Sequence, residues 1–309
     1  MSKKSNTTAR FGRYTVELTK LDKVLFPDAR ITKGEIIDYY RAVADRMLPY
    51  LQDRPVSMQR FPDGIRGEGF YQKEIPDYFP DWIDRVTVAK AGGKVTHVVC
   101  QNAATLVYLA NQACITPHVW LSRRDRLDHP DRMIFDLDPS GDDFASVRRA
   151  AMTLRDLLDG LGLASYAMTT GGRGLHVVVP LDRSADFDEA RGFARDVANL
   201  VARRDPERLT TETRKDKRKG RLFVDYLRNA YAQTGVPPYS VRARKGAPVA
   251  VPLAWKELGD AKLRGNAYDV RNALRRLTRL DDPWKGMTRR ARSLGSPRKK
   301  LDRILEEES

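Results

Sequence analysis

The segment Phe135-Asp136-Leu137-Asp138-Pro139 constrains the fold more than any other part of this chain. It completes an apolar run that begins at Met133, and such a run predicts a β-strand that the proline ends. Because side chains alternate along a strand, Asp136 and Asp138 share one face while Leu137 turns to the opposite, buried face. Two carboxylates at a strand end predict a metal site, or else an ordinary helix cap or contacts with surface lysines.

A third carboxylate, Asp225, lies in a second predicted strand over residues 222–227. On a strand, residues two positions apart are separated by roughly 6.6 Å, which suits two divalent ions about 3.5–4 Å apart. Three such carboxylates could hold one ion that activates a primer 3′-hydroxyl and another that neutralises a triphosphate. Their hard oxygen donors favour Mg²⁺ or Mn²⁺ over zinc.

Between these strands the sequence predicts a β-hairpin, residues 165–169 and 175–180, joined by a glycine-rich turn. Glycines remove side chains where a backbone approaches another group closely, and the N–H groups of such a turn, at Gly172 for example, could bind an anion. Arg173 and His176 add positive charge and hydrogen-bond donors beside the turn. An ordinary tight turn and a buried, hydrogen-bonded histidine are the structural alternatives.

The charge of the chain favours a polyanionic partner. There are 56 Lys and Arg residues against 41 Asp and Glu, a formal net charge of +15, although an Arg-rich surface common to a whole proteome is an alternative. Cys100 and Cys114 stand in no metal-ligand spacing, so neither a disulfide nor a zinc site is predicted. No apolar run approaches the roughly 18 residues of a membrane span, and we expect a cytoplasmic protein.

The remaining pattern predicts an α+β fold in which helices pack on antiparallel or mixed sheets. Thr32 and Glu35 form a capping box that opens a helix ending near Pro49. Further helices are predicted from Asn102 to Ala113, from Phe144 to Gly160 or Gly162, from Asp186 to Leu200, and from a cap at Asn266 to Leu277. We expect a disordered N-terminus over residues 1–13, one catalytic domain over 14–282, and a basic tail or terminal helix over 283–309.

Three motifs in this order and spacing resemble those of the archaeo-eukaryotic primase superfamily: Asp136–Asp138, Gly171–His176 and Phe223–Tyr226. Within that superfamily the chain looks most like the polymerase domain of bacterial ligase D, which acts in non-homologous end joining. The segments Leu18–Pro27 and Thr32–Glu35 resemble the N-terminal signature of that domain. The likeness covers nearly the whole chain.

The resemblance implies a template-dependent nucleotidyltransferase that extends a primer at gaps or broken ends, using nucleoside triphosphates and two Mn²⁺ or Mg²⁺ ions. It implies three catalytic metal ligands, Asp136, Asp138 and Asp225. It implies nucleotide contacts by Thr170, Gly172, Arg173, His176, His118 and Arg242. It implies DNA contacts by Lys23, Lys33, Phe70, Arg218 and Arg244, with the two lysines on a 5′-phosphate. Family members often carry Ser at position 170, so discrimination at the sugar could differ here.

The expected partners are DNA with gaps, overhangs or 5′-phosphorylated ends, and a DNA ligase and Ku supplied in trans, because nothing in the chain resembles a ligase. Two alternatives remain open at this point: a gap-filling polymerase of excision repair, and a DNA-end-binding or synapsis module with secondary catalysis. A primase is disfavoured because a 5′-phosphate pocket is unnecessary for starting chains. A two-metal nuclease gives no reason for the glycine turn and its histidine.

Overall fold

The computed structural model describes residues 7–308, which divide into two compact units. The first unit comprises the chain up to Val119 together with Val236–Ala250 and Tyr268–Arg279. The second comprises Trp120–Gly235, Val251–Ala267 and the chain from Leu280 onward. The sequence predicted one domain over 14–282. Because each unit is assembled from separated segments, no linker or change of composition marks the division along the chain.

The strands, in chain order, are β1 (Thr7–Phe11), β2 (Tyr14–Leu18), β3 (Val24–Phe26), β4 (Ile31–Thr32), β5 (Pro55–Arg60), β6 (Phe70–Gln72), β7 (Arg85–Lys90), β8 (Gly93–Val99), β9 (Cys114–Trp120), β10 (Ser122–Arg123), β11 (Arg126–Pro130), β12 (Arg132–Asp138), β13 (Tyr166–Thr169), β14 (Leu175–Pro180), β15 (Leu209–Thr210), β16 (Leu222–Asp225), β17 (Thr234–Gly235) and β18 (Pro252–Leu253). The helices are α1 (Lys33–Leu51), α2 (Ala103–Asn111), α3 (Phe144–Leu161), α4 (Phe187–Arg204), α5 (Asn272–Leu277) and α6 (Gly295–Glu307).

The first unit is built on an antiparallel sheet in the order β9–β5–β8–β7, with β6 also paired to β5. Helix α1 begins at the predicted capping box: the Thr32 hydroxyl accepts the Glu35 N–H, and the Glu35 carboxylate accepts the Thr32 N–H. The helix continues past Pro49 to Leu51. Pro49 has no N–H to donate to the carbonyl four positions back, so the helix lacks one hydrogen bond there, and only two helical residues follow the proline.

The second unit is built on a six-stranded mixed sheet in the order β15–β16–β12–β14–β13–β18. The predicted hairpin is confirmed as β13 and β14, and α3 ends at Leu161 and is capped by Gly162, whose φ of +87° is left-handed. Helix α4 follows Asp186, where the sequence predicted its start, and opens with a capping box of Asp186 and Glu189. With helices beside antiparallel and mixed sheets in both units, the predicted α+β class is confirmed.

Two local expectations differ from the structure. Residues 7–11 form β1, which pairs with β2, where a disordered terminus was expected; residues 1–6 lie outside the described part. The cap predicted at Asn266 was wrong, because α5 begins only at Asn272 and the Asp269 carboxylate accepts the N–H groups of Arg271 and Asn272.

The basic C-terminal segment forms helix α6, the terminal-helix alternative of the prediction, and this helix packs against α3 and α4. Its Leu301 side chain is fully buried, and Arg298 donates to the Asp196 carboxylate at 2.8 Å. These contacts make the helix part of the second unit. Across residues 7–308, none of the helices has the length and apolarity needed to cross a membrane.

Candidate active site

The central strand β12 brings together a row of polar side chains in the second unit. Asp136 lies directly opposite Asp225 of β16 on one side and opposite His176 of β14 on the other. Directly opposed residues of antiparallel strands have Cα atoms about 4.5–5.5 Å apart, and their side chains project to the same face. Asp138, two residues further along β12, shares this face and lies opposite Phe223. The three carboxylates predicted from separate motifs therefore occupy one face of one sheet.

Arg228 and His176 hold the Asp136 carboxylate, which is mostly buried. The Arg228 Nε donates to its Oδ2 at 3.2 Å, and the His176 Nε2 lies 3.6 Å from the same oxygen. Burial raises the pKa of Asp136, but His176 and Arg228 outweigh that effect and hold the pKa below its ordinary value. Asp136 is thus kept ionised at neutral pH.

Sequence reasoning missed Arg228. It stands on a short 3₁₀ turn directly after β16, and Asn229 fixes that turn by exchanging hydrogen bonds with the backbone of Ile134 on β12. The sequence does contain a signal for it, a charged residue three positions after Asp225. A 3₁₀ turn has three residues, so a residue at this position lies on the same side of the chain as Asp225.

The other two carboxylates have different surroundings. The Asp225 Oδ1 accepts the N–H of Leu227 at 2.7 Å. Burial raises the pKa of Asp225, the Leu227 hydrogen bond opposes the rise, and the negative charge of Asp136 adds to it. Asp138 lies 3.6 Å from the Nη1 of Arg218. Two carboxylates directly opposed across a strand pair repel one another, so a cation between them would be favourable.

Arg218 is buried rather than extended towards solvent. Its guanidinium donates to the carbonyl oxygens of Glu212 and Thr213 and lies 3.8 Å above the Phe223 ring. The family resemblance implied a DNA contact for this residue. In the structure the Arg218 guanidinium is paired with the Asp138 carboxylate, so a phosphate bound there would interact with a guanidinium that also contacts Asp138.

The carboxylates fit a divalent ion by donor type, since carboxylate oxygens are the preferred ligands of Mg²⁺ and Mn²⁺. Within residues 7–308, no three or more His, Cys, Asp or Glu side chains are arranged so that they could coordinate a metal ion together. Two of the carboxylates face guanidinium groups instead, so an ion would replace Arg228 at Asp136 and Arg218 at Asp138. The Nδ1 of His176 is buried and hydrogen-bonds to no other described residue.

The glycine-rich turn is closed by its own threonine. The Thr170 hydroxyl donates to the Gly174 carbonyl at 3.1 Å and accepts the Gly172 N–H at 3.2 Å, and Gly171 takes a left-handed φ of +64°. Arg173 stands exposed at the tip. The turn therefore presents a guanidinium outward, while the Thr170 hydroxyl and the Gly172 N–H predicted to contact a nucleotide hold the turn together.

The remaining predicted residues belong to the first unit. The Lys23 Nζ pairs with the Asp63 carboxylate at 2.7 Å. Lys33 is only 5% exposed and its Nζ donates to the Thr19 hydroxyl and to both the backbone and side-chain oxygens of Asn111. Burial, followed by the charges of Lys20 and Lys23, lowers the pKa of Lys33 from 10.5 to about 8. The first unit therefore brings the two predicted phosphate-binding lysines close enough to interact.

Phe70, for which the resemblance implied a DNA contact, lies on β6. Phe70 is 44% exposed, and the Arg60 guanidinium lies 5.7 Å from its ring centroid. Its neighbour Tyr71 meets the buried His118 ring edge-on, with centroids 5.3 Å apart. Arg242 is partly buried and Arg244 is exposed, and both stand on a tight turn.

Comparison with known proteins identifies the family. The family described as "LigD, primase-polymerase domain" matches residues 32–284. The chain belongs to this family. Similar proteins include the multifunctional non-homologous end joining DNA repair protein LigD of Mycobacterium tuberculosis, 36% identical over 276 residues, and the bifunctional non-homologous end joining protein LigD of Bacillus subtilis, 37% identical over 249 residues. These matches take in 86% and 79% of this chain but 36% and 39% of those proteins, so the chain spans about a third of their length.

A solved structure agrees with this assignment. The polymerase domain of Mycobacterium tuberculosis ligase D, in complex with DNA, superimposes with a TM-score of 0.84 at 34% identity, covering 89% of this chain and 99% of that one. The ligase D polymerase domain is a metal-dependent nucleotidyltransferase of the archaeo-eukaryotic primase superfamily and functions in DNA repair by end joining. The family predicted from the three motifs is confirmed.

Proposed function

We propose that this chain is a template-dependent polymerase that extends 3′-hydroxyl ends at gaps and breaks in DNA during non-homologous end joining. The observation that supports it most directly is the register of β12 and β16, which sets Asp136 opposite Asp225 with Asp138 on the same face. A domain that only binds DNA ends has no use for three carboxylates on one face, because they repel phosphate.

Asp136, Asp138 and Asp225 would hold two Mn²⁺ or Mg²⁺ ions. When bound, such ions lower the pKa of a hydroxyl and neutralise developing charge on phosphate oxygens. The protein itself contributes the orientation of the ligands. Asn229 ties the turn after β16 to β12, so the two strands that carry the carboxylates are held in one register.

The glycine turn and its neighbours would bind the incoming nucleoside triphosphate. Arg173 stands exposed at the tip of the turn, where its guanidinium can pair with phosphate oxygens. His176 is buried beside Asp136 and keeps one ring nitrogen for the ligand. Thr170 and Gly172 would act by shaping the turn, and His118 and Arg242 are proposed as further nucleotide contacts.

The first unit would bind the DNA end. Lys23, whose side chain is about a third exposed, would exchange Asp63 for a 5′-phosphate, and Lys33 would add positive charge from behind it. Phe70 offers an exposed ring on which a base can stack. Arg218 and Arg244 are proposed phosphate contacts, and Ku and a DNA ligase are proposed partners in trans. A cytoplasmic location stays a prediction.

Gap filling tests this proposal. The substrate is a short DNA gap with or without a downstream 5′-phosphate, supplied with Mn²⁺ or Mg²⁺ and with ribo- or deoxynucleotides. Asp136→Ala should abolish templated addition while DNA affinity stays near that of the wild type. Asp156→Ala is the matched control, because Asp156 is an exposed aspartate on α3 outside the set of predicted site residues. Addition by Asp136→Ala at the wild-type rate would refute the metal assignment, and tight binding by the wild type with no addition would leave an end-binding module.

A further inference from the structure

The glycine-rich turn, Thr170 to Gly174, is pressed directly against the strand that carries the carboxylates. A Cβ atom added to Gly174 would lie 2.2 Å from the Leu137 carbonyl oxygen, which stands between Asp136 and Asp138 on β12. No side chain can occupy such a space without moving the backbone. The turn is therefore in contact with the carboxylate strand on one side.

A second glycine, Gly265, contacts the opposite side of the turn. A Cβ added to Gly265 would lie 2.7 Å from the carbonyl oxygens of both Gly172 and Gly174, and 2.8 Å from the carbonyl carbon of Arg173. The φ of Gly265 is not left-handed, so its backbone conformation is open to other residues. Glycine is required at this position for space alone, because two backbone segments of the second unit touch there.

The segment that carries Gly265 is anchored independently of the turn. Arg148 of α3 donates to the carbonyl oxygens of Leu258 and Asp260, and the Asp260 carboxylate accepts the Lys262 N–H. Leu263 is buried. The segment from Asp260 to Gly265 therefore forms a support held by the helix layer, with the turn between it and β12.

We propose that Gly265 is a positioning residue for nucleotide binding: the support sets how far the turn, and Arg173 at its tip, stands from the carboxylates. The proposal rests on the proposed function of the turn in binding a nucleoside triphosphate. An alanine at position 265 must move its neighbours from 2.7 Å to the 3.4 Å at which ordinary contact begins, a displacement of about 0.7 Å. A displacement of this size moves the Arg173 guanidinium away from the phosphate oxygens with which it would pair, so weaker nucleotide binding, a rise of about tenfold or more in the nucleotide KM, is expected.

The test compares Gly265→Ala with Gly259→Ala, a glycine of the same stretch of chain at which an added Cβ meets nothing within 4 Å. Nucleotide KM, kcat, DNA affinity and thermal midpoint are measured for both in gap filling. We expect the KM to rise in Gly265→Ala alone, with DNA affinity within about twofold of the wild type. An unchanged KM in Gly265→Ala, whatever happens to kcat or the thermal midpoint, overturns the proposal.

Two further measurements keep the result decisive. If Gly265→Ala does not fold, Arg148→Met is tested instead, because it removes the hydrogen bonds that hold the support and should also raise the nucleotide KM. The exposed Arg149→Met is its control. Equal KM values for these two variants overturn the proposal. If the wild type adds no nucleotide at all, the proposed polymerase function fails separately. Positioning is then judged by the anisotropy of a fluorescent nucleoside triphosphate, where equal affinity of wild type and Gly265→Ala overturns it.

Discussion

The preference for a 5′-phosphorylated end should weaken as the pH rises through about 8, because Lys33 loses its proton there. The pKa of Lys33 is lowered to about 8 by burial and by the charges of Lys20 and Lys23. A bound 5′-phosphate carries close to two negative charges above pH 7, and it would keep the lysine protonated in the complex. Binding above pH 8 must then take up a proton, which costs affinity.

The magnitude follows from the titration. With a pKa of about 8, the protonated fraction of Lys33 in the unbound protein falls roughly tenfold between pH 7 and pH 9. If the bound lysine stays charged, the affinity for the phosphorylated end falls by the same factor of about ten. The donors of Lys33 already meet three oxygens, so its contribution is long-range charge rather than a direct hydrogen bond.

The assay is fluorescence anisotropy with gapped DNA bearing a 5′-phosphate or a 5′-hydroxyl, at pH 7, 8 and 9 and constant ionic strength. The ratio of the two affinities removes every effect of pH that does not involve the phosphate. Lys23→Met should lower the ratio and move its pH dependence to higher pH, because the charge of Lys23 lowers the pKa of Lys33, whereas Lys33→Met should make the ratio independent of pH. A wild-type ratio that is constant from pH 7 to pH 9 would refute the reasoning.

Three other perturbations have defined outcomes. Arg228→Gln removes a cation that competes for the Asp136 carboxylate, so the half-saturating Mn²⁺ concentration in gap filling should fall about two- to fivefold; an unchanged or higher requirement would contradict this. Thr170→Val removes the buried hydroxyl that joins both ends of the glycine turn and should cost about 1–3 kcal/mol in the free energy of unfolding in urea, whereas Thr170→Ser should lie close to the wild type. Leu301→Ala should cost about 2–5 kcal/mol in the same measurement because the side chain is fully buried on α6, with the exposed Arg303→Ala as control; equal stability of the two would show that the helix does not pack as described.

The features that the sequence predicted correctly depend on residues only a few positions apart. The capping boxes at Thr32 and Asp186 and the hairpin of β13 and β14 are of this kind. The sharing of a face by Asp136 and Asp138 follows from strand periodicity in the same way. The prediction of a cap at Asn266 was wrong because a second candidate, Asp269, lies three residues further on. The local sequence does not indicate which of the two side chains accepts the N–H groups at the start of α5.

The chemical inventory of this protein is therefore a property of its sequence: three strand-borne carboxylates, a glycine turn with a histidine, and an excess of positive charge. Their arrangement was decided by tertiary structure. The opposition of Asp136 and Asp225, the approach of Arg228 to the first of them, and the contact of Gly265 with the glycine turn all join segments far apart in the chain. Strand register is set by which apolar faces are buried together across the whole sheet, and close backbone contacts follow from that packing, so neither leaves a local pattern in the sequence.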